Sequence, residues 1–101
     1  MIEISGRQFD LKYSIKRVEM IENNLGKGIV SSMVHSGGML SVSELRNCLT
    51  FGLVDENGHY LTPKTAMEYT DALFEQNSYA SLCAVVLEAV QRDCPFFFQE
   101  N

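Results

Sequence analysis

The first residues of the chain alternate apolar and polar side chains, which is the pattern of strands with one buried face. Residues 2–5 and 8–13 both alternate, and Gly6-Arg7 stands between them. We therefore predict a β-hairpin over residues 1–13 with a two-residue turn at Gly6-Arg7, in which Gly6 supplies the positive φ that such a turn requires. Because a lone hairpin is not stable in water, its apolar side chains must lie on a helix. These side chains are Ile2, Ile4, Phe9 and Leu11.

After the hairpin, apolar residues recur at helical spacing between clear start and stop signals. The first predicted helix follows Ser14 as N-cap, continues to Leu25 and is stopped by Gly26. Residues 28–35 fit either a strand or a short helix, and the spacing of their apolar positions favours the helix.

Two helices in the middle of the chain have stronger start signals than the first two. Ser41 followed by Glu44 is a capping box, in which each side chain bonds the backbone N–H of the other residue, and it begins a helix that ends near Leu53. The pair Thr62-Pro63 begins another helix, because proline at the first helical position loses no hydrogen bond. That helix is predicted to continue to about Gln76.

The last predicted helix is the most apolar of the set. Ser78 caps it, it covers residues 79–92, and Pro95 ends it. An aromatic tail, residues 94–101, follows. Together these elements predict an α+β fold, mostly α, in which the N-terminal hairpin packs on a bundle of about four to five short helices within residues 14–93.

Length and charge narrow the class of protein. At 101 residues, the chain is long enough for a single domain, 1–101, with a modest core. Its formal net charge of -5 argues against nucleic acid or an anionic membrane as partner, because both require a basic surface. No apolar run approaches the roughly 20 residues of a membrane span, and the N-terminus lacks the pattern of a signal peptide. Three cysteines without paired spacing predict reduced thiols in the cytosol.

The spacing of the polar residues predicts no catalytic, cofactor or metal site. The carboxylate pairs Glu19/Glu22 and Asp71/Glu75 lie on helix faces exposed to solvent, where acid–base catalysis has no cleft. Residues 55–58 share a fragment of a calcium loop but lack its ligand ladder and its terminal glutamate, so a turn is predicted. The two histidines have no cysteine at a ligand-like spacing. We therefore expect a protein that is not an enzyme and that binds no cofactor or metal.

Large apolar side chains near the C-terminus supply the candidate binding surface. The run Phe96-Phe97-Phe98 has two interpretations. It either folds back to plug the helical core, or stays exposed and forms an apolar surface for a partner beside Met67 and Phe74. The partner-binding candidates are Met67, Phe74, Phe96, Phe97 and Phe98.

The order of turns and caps resembles a known family. A glycine-turn hairpin is followed by a helix ending Asn-Asn-Leu-Gly26, a Ser-Val-Ser-Glu-Leu helix ending Phe-Gly-Leu53, then Thr-Pro and two helices. This series covers nearly all of the chain and resembles the small tail proteins of siphophages and gene transfer agents, which are encoded near the tape-measure gene. The aromatic C-terminus departs from that pattern.

The resemblance implies a non-enzymatic tail assembly chaperone in the cytoplasm of a bacterial host. Its partner would be the hydrophobic tape-measure protein or another tail protein, and the family supplies no catalytic residues. The alternative is a structural, tube-associated tail protein retained in the virion. This alternative ranks lower because a tube subunit builds its ring from an extended sheet, whereas the sequence predicts one hairpin. A homo-oligomer is compatible with the sequence.

Overall fold

The computed structural model describes residues 2–35 and 37–99. The elements in chain order are β1 (Ile2–Ile4), β2 (Arg7–Leu11), α1 (Ile15–Leu25), α2 (Val30–His35), α3 (Val42–Gly52), β3 (Leu53–Val54), α4 (Pro63–Gln76), α5 (Tyr79–Asp93) and a 3-10 helix (Pro95–Phe98). We call this last element the aromatic turn. The fold is α+β and mostly α, as predicted.

The hairpin turn lies one residue earlier than predicted. Ile4 pairs with Arg7, so the two turn residues are Ser5 and Gly6. Both have positive φ, 52° for Ser5 and 77° for Gly6, as in a type I′ turn, whose twist matches that of the strands. Gly6 has the expected conformation. The placement of the turn at Gly6-Arg7 is wrong because Ser5 adopts a left-handed conformation that non-glycine residues seldom take.

Valine in place of Gly6 should lower the free energy of unfolding by about 1–3 kcal/mol, because a β-branched residue is strained at positive φ. An added Cβ would meet no atom within 4 Å, so the expected loss comes from backbone strain and not from a clash at Cβ. Gly6→Asn is the matched control, since asparagine tolerates the left-handed region. Urea unfolding of both variants measures the difference, and a valine variant as stable as the wild-type protein would contradict the left-handed requirement.

A third strand extends the predicted hairpin into a small sheet. Leu53 and Val54 leave α3 and pair antiparallel with Leu11 and Asp10, which gives the strand order β1-β2-β3. The sequence pattern assigns Leu53 to the end of the preceding helix and predicts no strand there. Two residues are too few to show the alternation by which a strand is detected.

The sheet lies on the helices through its apolar face, as predicted for the hairpin. Ile4, Phe9 and Leu11 are at most 1% exposed, and Ile2 packs against the same core while partly buried. β1 packs on α4, and β2 packs on α3. The face that the alternating pattern identified is therefore the buried one.

Helix α3 is the central helix of the bundle. It packs on α1, α4 and α5 as well as on the sheet. Its predicted capping box is present: Ser41 Oγ accepts a hydrogen bond from the Glu44 backbone N–H at 3.1 Å, and Glu44 Oε1 accepts one from the Ser41 N–H at 2.7 Å. The strongest local signal in the sequence thus begins the helix around which the others pack.

The remaining helices follow their predicted bounds closely, and residues 30–35 are helical. Thr62 makes no capping hydrogen bond with its side chain; its hydroxyl bonds that of Thr65 instead. The large side chains of Ile15 and Tyr79 are 59% and 41% exposed. Each is the first residue of its helix, where the side chain extends back past the helix end instead of over the turns that pack.

The end of α5 is tied to the residue that follows β2. The Tyr13 backbone N–H donates to Asp93 Oδ2 at 2.8 Å, and the Cys94 thiol donates to the Tyr13 carbonyl at 3.3 Å. Arg92 donates to the Leu11 carbonyl. These bonds join the hairpin to the last helix across most of the chain.

Candidate partner-binding surface

The aromatic run folds into a turn that divides its side chains between two environments. Phe97 and Phe98 are partly buried and pack against the core, whereas Phe96 is 50% exposed. The ring centroids of Phe96 and Phe97 are 4.2 Å apart. Each of the two interpretations of the run therefore applies to part of it: Phe97 and Phe98 pack against the core, and Phe96 is presented to solvent.

Met67 and Phe74 lie on α4, in different surroundings. Met67 is 50% exposed, while Phe74 packs partly buried against the core. The guanidinium carbon of Arg46 lies 4.9 Å from the centroid of the Phe74 ring, within the range of a cation–π contact. The main packing partners of α4 are α3 and β1, and those of the aromatic turn are α5 and α2. The two groups of predicted contact residues thus rest on different elements.

Three segments without Asp, Glu, Lys or Arg fold against one another. Residues 28–43 and 76–87 are the two longest such stretches in the chain, and residues 94–99 are the third segment. The aromatic turn contacts α2 and α5. Gly38 lies so close to α5 that an added Cβ would be 2.6 Å from Leu87 Cδ2. We call the exposed surface of the described residues of these three segments, 28–35, 37–43, 76–87 and 94–99, the uncharged face.

Most of the large apolar side chains that are exposed in the described part of the chain belong to the uncharged face. Those on the face are Val34, Met39, Val42, Tyr79 and Phe96, and those outside it are Ile15 and Met67. Exposed apolar side chains combined with a depletion of charge are typical of the centre of a protein interface. The sequence signal for this surface is the spacing of the charged residues, which a search for motifs and apolar runs does not detect.

The edge of the uncharged face near the start of α3 carries a paired charge. Burial by itself would raise the pKa of the Glu44 carboxyl, but hydrogen bonds from the Ser41 N–H and from Lys27 outweigh it and hold the pKa below its usual value. Lys27 Nζ lies 3.3 Å from Glu44 Oε2. Partial burial, and then the charge and hydrogen bonding of the neighbouring Cys83, raise the pKa of Tyr79. Glu44 and Lys27 thus form an ion pair at this edge, and the Glu22 carboxylate also reaches the first segment, where its Oε2 accepts the Ile29 N–H at 2.7 Å.

A cleft of about 310 Å³ lies between β2, the turn after β3 and the end of α5. Three of its charged side chains, Asp10, Arg92 and Asp93, lie in ion-pair contact. Arg92 Nε lies 2.8 Å from Asp93 Oδ1 and a second nitrogen of Arg92 lies 3.8 Å from Asp10. Asp55 Oδ1 accepts backbone N–H bonds from Asn57 and His59. These bonds form the predicted turn at residues 55–58, and in it the Asp55 carboxylate binds backbone N–H groups.

The chain matches nothing in comparisons with models of protein families, with curated proteins and with solved structures. Over residues 2–35 and 37–99, the structure contains no helix of the length and apolarity that crossing a membrane requires. The same residues contain no group of three or more His, Cys, Asp or Glu side chains arranged to hold a metal ion.

Proposed function

We propose that this protein is a non-enzymatic tail assembly chaperone of a phage or prophage. It binds an apolar helical segment of the tape-measure protein in the cytoplasm of the bacterial host. The observation that carries the proposal is the uncharged face, since a surface that accepts an amphipathic helix needs accessible apolar side chains and little charge. The order of caps and turns along the chain supports the same proposal through its resemblance to the small tail proteins.

The side chains of the uncharged face suit a partner of irregular shape. Met39 is 47% exposed, and the unbranched thioether of methionine adapts to different apolar neighbours. Phe96, half exposed on the rigid aromatic turn, offers a large apolar surface with few rotatable bonds. The chain carries a net charge of -5, on residues outside the face, and this charge makes free molecules repel one another in solution.

Co-expression with the tape-measure product of the same genome tests the proposal. We expect the long product to be recovered in a complex with this chain, and to be insoluble when an unrelated acidic protein of similar size replaces it. Recovery that is no better than with the unrelated protein would refute the chaperone function. Stoichiometric presence of this chain in purified particles would instead support the structural tail protein.

A matched pair of variants identifies the contact residues. Phe96 and Met67 are both 50% exposed, so Phe96→Glu and Met67→Glu introduce the same charge at equal exposure, on the uncharged face and on α4 respectively. We expect Phe96→Glu to weaken the complex by about tenfold or more, as for an interface anchor, while Met67→Glu leaves it unchanged. The opposite result would assign the contact to Met67 and Phe74.

A further inference from the structure

We infer that Asn57 is a site of spontaneous covalent modification, at which the side-chain amide becomes a carboxylate at a rate set by Asp55. Asn57 lies in the exposed turn of residues 55–58 and precedes Gly58. Its side-chain amide has no hydrogen-bond partner among residues 2–35 and 37–99. Because Gly58 has no side chain, its backbone nitrogen can approach the Asn57 side chain without steric hindrance. An added Cβ at Gly58 would also meet no atom within 4 Å, so the rest of the fold leaves this approach open.

The modification needs no reactant except water. The Gly58 nitrogen attacks the side-chain carbonyl carbon of Asn57, and the new C–N bond closes a succinimide ring. The proton of the Gly58 N–H leaves with the side-chain nitrogen as ammonia. Water then opens the ring at one of its carbonyl carbons, which gives aspartate or isoaspartate at position 57. Either product is ionised at neutral pH and adds a negative charge to the formal net charge of -5.

Hydrogen bonds to Asp55 oppose the closure of the ring. The Gly58 N–H donates to the Asp55 carbonyl at 2.9 Å, and the attacking nitrogen must first leave this bond. Asp55 Oδ1 accepts the Asn57 N–H at 2.9 Å and the His59 N–H at 3.0 Å, so the backbone is held on both sides of Gly58. The bond from the His59 N–H keeps the pKa of the Asp55 carboxyl below its usual value, and the carboxylate is therefore ionised at neutral pH. The reaction requires local opening of the turn, and its rate follows the population of the open form.

The other asparagines in the described part of the chain are held more firmly. Those of α1 and α3 lie inside helices, where the N–H of the next residue is bonded to a carbonyl of the same helix. Asn77 is exposed, but its side-chain nitrogen donates to the Leu73 carbonyl at 3.1 Å. We therefore expect Asn57 to be converted before any of them.

Peptide mapping by tandem mass spectrometry, after incubation of the protein at neutral pH and physiological temperature, measures the conversion. We expect the mass increase from amide to acid to appear at Asn57 ahead of Asn77. The same chain unfolded in guanidinium chloride gives the rate without the turn, and Asn57 should react there faster by about threefold or more. Conversion of Asn77 ahead of Asn57 in the folded protein, or equal rates at Asn57 in the folded and unfolded chain, would overturn the inference.

Two neighbouring carboxylates provide a matched pair of variants. Asp55→Ala and Glu56→Ala remove the same charge from the turn, but over residues 2–35 and 37–99 no group donates a hydrogen bond to the Glu56 carboxylate. We expect Asp55→Ala to speed the conversion of Asn57 by about threefold or more, and Glu56→Ala to change it by less than about twofold. No acceleration by Asp55→Ala, or equal acceleration by both variants, would refute the role of the Asp55 hydrogen bonds. The comparison of folded and unfolded wild-type chain uses no variant, so it tests the turn even if Asp55→Ala lowers the overall stability.

Discussion

Alanine at position 52 should destabilise the protein by about 2–4 kcal/mol, as the sum of overpacking and a disturbed buried hydrogen bond. The Cβ of the new residue would lie 2.4 Å from Cζ and from the hydroxyl oxygen of Tyr13. Tyr13 is 1% exposed, and its hydroxyl donates to the Cys48 carbonyl at 2.6 Å. The ring cannot withdraw without breaking this bond, since the surrounding core is closely packed. Elsewhere in a helix the same substitution would stabilise.

A double-mutant cycle with Tyr13→Leu separates the steric contact from other effects. Leucine lacks the outer ring atoms and the hydroxyl, so Gly52→Ala should cost much less in the Tyr13→Leu background than in the wild-type protein. Urea unfolding of the four proteins supplies the coupling free energy. An equal cost in both backgrounds would show that contact with Tyr13 is not the cause.

The second large effect is a loss of stability in alkali. Burial, followed by the nearby Glu44 charge, raises the pKa of the Cys48 thiol from 9.0 to about 12. Burial, followed by the neighbouring Cys48, also raises the pKa of Tyr13 well above its usual value. In both cases the folded state keeps a proton that the unfolded chain releases. The free energy of unfolding therefore has its full value below the pKa of the group in the unfolded chain, and it declines as pH rises from there towards the pKa in the folded state. Each retained proton lowers the free energy of unfolding by about 1.4 kcal/mol per pH unit. For Cys48 this amounts to roughly 4 kcal/mol between pH 9 and pH 12.

Urea unfolding at several pH values above neutrality measures this decline. Cys48→Ala lowers stability at every pH because it leaves a cavity, but it removes the thiol and should flatten the dependence on pH by up to one proton. Tyr13→Phe should flatten the upper part of the range, above the ordinary tyrosine value of 10.0. If the Cys48→Ala protein loses stability between pH 9 and pH 11 as steeply as the wild-type protein, the thiol is not responsible.

The elements predicted best from the sequence are those encoded by neighbouring residues. The capping box of Ser41 and Glu44 involves residues within one helical turn, so its signal survives without knowledge of the rest of the fold. Strand β3 and the left-handed Ser5 escape prediction because tertiary pairing imposes them: Leu53 and Val54 become a strand only where β2 offers an edge.

The uncharged face was beyond prediction for a related reason. Residues 44–75 separate the first of its segments from the other two, and the first two segments meet because Gly38 allows the loop after α2 to approach Leu87. The gaps between charged residues are visible in the sequence, but whether they form one surface depends on that approach. The candidates Phe96, Phe97 and Phe98 fall in one of these segments. Met67 and Phe74, predicted to belong to the same partner surface, lie on α4, outside these segments, and their part in partner binding stays a prediction.

The bond between Tyr13 and Asp93 has a consequence for synthesis. Its two residues are 80 positions apart, and at about 5–20 residues per second a ribosome needs roughly 4–16 s to proceed from one to the other. Throughout that interval, the Tyr13 N–H lacks the carboxylate that accepts it in the finished fold. The bond that joins the end of the hairpin to α5 therefore forms only after Asp93 has been made, although the hairpin itself is made first. A chain that stops short of Asp93 should be digested by an added protease faster than the full-length protein.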